Sequence, residues 1–104
     1  MKKNINLFDN SDWTDAPGYP AGTRMKTLFD DKGVKTVLLN VPGGFSMDAH
    51  SHDTFEQLYV LSGEISVGGE LGTEGSCFNF KAKESHGPFV SKKGITALVF
   101  RYPL

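Results

Sequence analysis

The chain has 104 residues, of which 38% are hydrophobic and 22% charged, and its 11 Lys+Arg against 12 Asp+Glu leave a formal net charge of −1. A chain of this length builds one modest core, which excludes a (β/α)₈ barrel of ~250 residues or a cofactor domain joined to a substrate domain. The balanced charge excludes the basic stripe of a nucleic-acid binder, and 12 glycines with 8 phenylalanines point to tight turns between short aromatic-rich strands.

Residues 1–23 are polar and turn-rich and read as an N-terminal arm. Met1-Lys2-Lys3-Asn4 is followed at once by Asp9, Asn10 and Asp12 rather than by an apolar signal segment, so the chain is expected in the cytoplasm. The arm is expected to carry a short strand around Ile5–Phe8, with Trp13, the one tryptophan, plugging it onto the body. Residues 24–104 form the expected barrel. Arg24–Phe29 reads as a strand and Asp30-Asp31-Lys32-Gly33 as a hairpin loop. Val34–Val41 is β-branched and apolar on both faces, so it is predicted to be a central strand. Pro42-Gly43-Gly44 stops it, and Phe45–His52 is the next predicted strand. Glu56–Leu61 turns through Ser62-Gly63 into Glu64–Val67, and Gly68-Gly69 turns again. Ser76–Phe80 places Phe78 and Phe80 on one face, with Cys77 expected as a small buried residue. That lone cysteine excludes an internal disulfide and fits a reducing compartment. Lys81–Pro88 is a loop, Phe89–Val90 a short strand, and Ile95–Tyr102 the last strand. Lys81, Lys83, Lys92 and Lys93 read as a solvated rim.

No 3.6-residue apolar stripe is long enough for a core helix, and no run approaches the ~18 apolar residues that span a membrane. Turn signals every 8–12 residues mark one all-β domain over residues 1–104, and the hairpin order suits a jelly roll with a cavity at its mouth.

The chemistry concentrates in three histidines. On a strand, His50 and His52 share a face with Cα atoms ~6.5–7 Å apart, and two imidazoles so placed converge on one ion at ~2.0–2.1 Å. Glu56 follows three residues later at the start of the next strand. His86 lies beyond the Phe78/Phe80 strand, where it closes the site from the other side. Three imidazoles and a carboxylate form a mixed N/O set suited to one divalent transition metal, Fe, Mn, Ni, Cu or Zn, more than to Ca or Mg.

Gly44-(5)-His50-x-His52-(3)-Glu56-(6)-Gly63 resembles the first cupin motif at every fixed position. The second motif, Gly-(5)-Pro-x-Gly-(2)-His-(3)-Asn, appears as Gly75-(5)-Lys81-x-Lys83-(2)-His86-(3)-Val90, in which the glycine and histidine stand and the other positions are replaced. The run from Trp13 through Pro17-Gly18 to Lys26-Thr27-Leu28, with Glu56–Gly63, is similar to the cupin domains of ChrR-type anti-sigma factors and of small cupin dioxygenases. The resemblance implies a double-stranded β-helix barrel of the RmlC-like kind with His50, His52, Glu56 and His86 as metal ligands. It also implies a small-molecule ligand in the barrel and a homodimer. Two functions follow from it: a metal-dependent dioxygenase acting on a small organic acid or diketone, or a non-catalytic metal- or effector-sensing module of the ChrR kind. With three histidines as ligands no free histidine remains as a general base, which leaves a carboxylate, Tyr59, Cys77 or water for acid/base work and disfavours an isomerase.

Overall fold

Alternating β-branched and aromatic residues between glycine turns give ten strands in this computed structural model, which describes residues 3–104; Met1 and Lys2 of the arm lie outside it. In chain order these are β1 (Trp13–Asp15), β2 (Arg24–Asp31), β3 (Val34–Val41), β4 (Phe45–Met47) and β5 (Phe55–Gly63). Then come β6 (Ile65–Val67), β7 (Glu70–Gly72), β8 (Cys77–Phe80), β9 (Phe89–Ser91) and β10 (Ile95–Tyr102). Every pairing is antiparallel, in a six-stranded sheet ordered β1-β2-β3-β10-β5-β8 and a four-stranded sheet ordered β4-β9-β6-β7. Among the described residues there is no helix, so the fold is the all-β jelly roll that the turn spacing predicts.

The core lies between the sheets. β5 alternates buried Glu56, Leu58 and Val60 with more exposed Gln57, Tyr59 and Leu61, and β10 buries Ile95, Ala97 and Val99 in the same way. Phe45, Ile65, Val67 and Phe89 face them from the smaller sheet. Each such aliphatic side chain contributes roughly 1.5–3 kcal/mol on burial. Gly63 closes the first cupin motif for a steric reason. Its φ is +86°, and a Cβ there would collide with the carbonyl of Gly94 where β10 begins.

β3 is buried on both faces, as its sequence predicts, but its outer side is covered by the arm. Leu38, 1% exposed, pairs across β2 and β3 with Lys26, which is fully buried. The Lys26 ammonium donates to the carbonyl of Asn6 (2.9 Å), the carbonyl of Asp9 (3.1 Å) and the Asp9 carboxylate (2.9 Å), and it sits 5.3 Å from the centre of the Trp13 ring. The strand expected around Ile5–Phe8 does not form. Asn6 and Asp9 turn that stretch by accepting from the backbone N–H groups of Phe8 and Ser11, and the arm's strand is Trp13–Asp15 instead. β7, not predicted, pairs with β6 beyond the Gly68-Gly69 turn.

Candidate metal centre

The three histidines converge, by a route different from the predicted one. The strand expected to run to His52 stops at Met47, so the two histidines do not share a strand face. An isolated bridge replaces it: the backbone N–H of His50 donates to the His86 carbonyl at 3.0 Å, and that of His86 to the His50 carbonyl at 2.8 Å. The Lys83 N–H donates to the His52 carbonyl at 2.6 Å and fixes the adjoining turn. Residues from the two cupin motifs are thereby held on one locked piece of backbone.

The side chains are oriented for ligation. His50 Nδ1 lies 3.0 Å from the Asp48 carbonyl and His86 Nδ1 lies 3.2 Å from the Glu84 carbonyl. A carbonyl only accepts, so Nδ1 carries the proton in each ring and the Nε2 lone pair is free. Phe80 stacks on His86 with centroids 4.3 Å apart, and Phe89 stacks on His50 at 5.4 Å, which fixes both ring planes. One ligand nitrogen from each of His50, His52 and His86 lies within 4.8 Å of the others. An ion bound at ~2.0–2.1 Å holds its donors at most about 4.2 Å apart, a contraction that side-chain rotation supplies.

Glu56 is the next neighbour. Its side chain is 5% exposed, with Oε2 3.4 Å from His86 Nε2 and Oε1 3.7 Å from His52 Nε2. Arg101 on β10 is its cross-strand partner, donating from Nε to Oε1 at 2.8 Å, and a second guanidinium nitrogen donates to the Tyr19 hydroxyl at 3.1 Å. The carboxylate is thus anchored through Oε1, which also lies towards His52, while Oε2 is left free and faces His86.

These residues fit a metal. His52 Nε2 and His86 Nε2 are buried without a hydrogen-bond partner, a condition that costs ~1–3 kcal/mol per group unless something occupies it. Burial, opposed by the Glu56 charge, pushes both imidazoles below the usual histidine pKa, and the neutral ring is the ligating form. A small cavity of about 30 Å³ adjoins the centre, walled by Leu39, Val41, Phe45, Met47 and Phe89 and reached by His50, Glu56 and Tyr19.

Two expected acid/base groups lie elsewhere. Tyr59 is on the outer face of β5, edge-on to Phe100 at 5.4 Å. Cys77 is exposed rather than buried, because its position beside inward-facing Phe78 points it to solvent. Arg101 and Tyr19 were not legible as site residues. Arg101 carries one signal, as the charged residue in the apolar run Ile95–Tyr102. Tyr19 sits in the Pro17–Pro20 turn with no such mark.

The family profile described as the ChrR cupin-like domain matches residues 2–104. No curated protein matches the chain in sequence. In structure it is similar to an RmlC-like cupin from Shewanella frigidimarina, with TM-score 0.81 and 20% identity over 99% of this chain and 93% of that one. It is similar to an acetylacetone dioxygenase from Acinetobacter johnsonii, with TM-score 0.80 and 14% identity over 97% and 74%. It is also similar to a chain in the complex of Rhodobacter sphaeroides SigE with the anti-sigma ChrR, with TM-score 0.74 and 20% identity over 91% of this chain and 51% of that one. The cupin motifs, the jelly roll and the profile match agree, and the chain belongs to the ChrR cupin-like domain family.

Proposed function

We propose that His50, His52, Glu56 and His86 bind one divalent transition metal, and that the centre serves a small metal-dependent dioxygenase acting on a small organic acid or diketone. The observation that carries the proposal is the pair of buried, partnerless Nε2 atoms facing the Glu56 carboxylate, His86 towards the free Oε2 and His52 towards the Oε1 that Arg101 also holds. Four protein donors leave one or two positions of an octahedral ion for a ligand. Bound there, the ion supplies Lewis acidity and, if redox-active, electron transfer. The chain's own contribution is to hold the imidazoles neutral, anchor the carboxylate through Arg101 and exclude water with the apolar cavity wall. The similarity to an acetylacetone dioxygenase supports the catalytic form. Membership of the ChrR family favours a second reading, a sensing module that holds zinc without turnover.

Elemental analysis of protein purified without added metal, followed by oxygen-electrode measurements, separates the two. Iron, copper or nickel with oxygen uptake supports the enzyme. Stoichiometric zinc without uptake supports the module, and absence of bound metal refutes both. We propose also that two copies pair. Leu71 (63% exposed) and Val90 (41% exposed) form an apolar patch on the smaller sheet. A sedimentation mass near 11.4 kDa at tens of micromolar counts against pairing.

A further inference from the structure

We infer that Tyr19 is the ligand-contacting donor of the barrel and that, with Arg101, it selects a short carboxylate over a diketone. The inference rests on the metal-centre reading above and deepens it. Three observations carry it. First, the Tyr19 hydroxyl accepts from Arg101 at 3.1 Å, and a guanidinium has no lone pair to accept in return, so the phenolic proton must be donated elsewhere. Tyr19 lines the cavity beside His50 and Glu56, and that cavity is where an oxygen acceptor would sit. Second, Arg101 and Glu56 cancel each other's charge at 2.8 Å. A dication held by neutral imidazoles in their company keeps its surplus positive charge, which draws an anion, carboxylate or enolate alike, so the choice between them falls to the hydrogen bond from Tyr19 and the size of the cavity. Third, the cavity of about 30 Å³ is large enough for two or three waters at the ~10–15 Å³ each requires, so it fits a ligand of few heavy atoms. Arg101 acts through Tyr19 and Glu56 and is a positioning residue; Tyr19 touches the ligand.

The test uses the Co²⁺-loaded protein, with glycolate and acetylacetone as probes and the visible cobalt spectrum as readout. Co²⁺ affinity is measured separately by calorimetry. Tyr19→Phe is expected to bind Co²⁺ as the wild type does and to bind glycolate at least tenfold more weakly, the loss anticipated for a hydrogen bond to a charged oxygen. Wild-type protein is expected to prefer glycolate to acetylacetone. In wild type, glycolate should also red-shift the near-UV tyrosine absorption, a signal that needs no variant to fold. Unchanged glycolate affinity in Tyr19→Phe, tighter binding of acetylacetone, or an unperturbed tyrosine spectrum overturns the inference and leaves the metal centre standing. Failure of wild-type protein to bind Co²⁺ overturns the metal-centre reading itself.

Discussion

Two buried charges lie on opposite faces of the six-stranded sheet, and they are satisfied to different degrees. On the outer face, the Lys26 ammonium spends its three protons on Asn6 and Asp9 and stacks near Trp13. Nothing is left over, and the cluster pins the arm. On the inner face, Glu56 gives one oxygen to Arg101 and aims the other at His86 Nε2, which, like His52 Nε2, has no partner of its own. Saturation marks a structural fastening, and unspent bonding capacity marks a place that waits for a ligand.

Breaking the inner cluster at a ligand has the largest expected effect. His86→Ala should weaken binding of a divalent transition metal by roughly a thousandfold, above the ~10–100-fold that losing a mere outer partner costs. The fold should survive, because the core is built from Phe, Val, Leu and Ile of both sheets. Calorimetric titration checks this, and unchanged affinity would remove His86 from the ligand set. Arg101→Met should come next. It strands the Glu56 carboxylate in the interior and should cost the metal-free protein about 3 kcal/mol in urea unfolding. Added metal should recover much of that loss, because the ion takes over the guanidinium's charge. An equal loss with and without metal would separate Glu56 from the centre.

Lys26→Met sharpens the contrast from the outer side. It should cost about 2 kcal/mol, below the ~3–5 of a fully buried pair, because Asp9 is half exposed and water can replace its donor. Metal affinity should not change. If it falls, the arm is coupled to the centre and the two faces are not independent.

Acid should separate the faces by pH, with the smallest effect. For His52 and His86 the folded-state pKa lies below the unfolded value of ~6.5, so the unfolded chain binds protons first. Their contribution is present above pH ~6.5 and is lost as the pH falls through the lower folded values. Asp9 is held down from 3.8 to about 2, chiefly by the hydrogen bond from Lys26, so its contribution persists to about pH 4 and disappears as the pH falls towards 2. Chelator-treated protein should therefore lose stability first through the histidine end. A pH profile flat between 7 and 5 for the metal-free wild type would contradict the buried, neutral state of these rings.

The site was legible wherever chemistry is written as spacing. His50-x-His52-(3)-Glu56 and the later His86 come together although two positions of the second motif are lysines, because a solvent-facing turn accommodates them. Lys83 adopts a positive φ of 65°, the conformation that the family's glycine provides there without a side chain. Long strands were legible for the same reason: β3 and β10 have the predicted bounds, since each is mostly apolar and closed by turn residues at its start or end. The rest depended on pairings that no local pattern carries. Arg101 meets Glu56 through the register of β10 against β5, and Tyr19 reaches the cavity through the course of the arm. The His50 and His52 segment leaves strand geometry because Pro88, which has no backbone N–H, interrupts the β4–β9 ladder, and only the His50–His86 bridge resumes its register.

The His50–His86 bridge has a thermodynamic consequence as well as a geometric one. It joins stretches far apart in the chain that come together only in the native state, so an ion shared by the two imidazoles binds the folded chain and not the unfolded one. If the proposed ion binds, native stability rises with free metal as RT ln(1 + [M]/Kd), about 2.7 kcal/mol at a hundred times Kd. On that proposal the melting temperature of this small barrel becomes a gauge of how much metal its surroundings hold, and a chain starved of metal is the one that proteases find first.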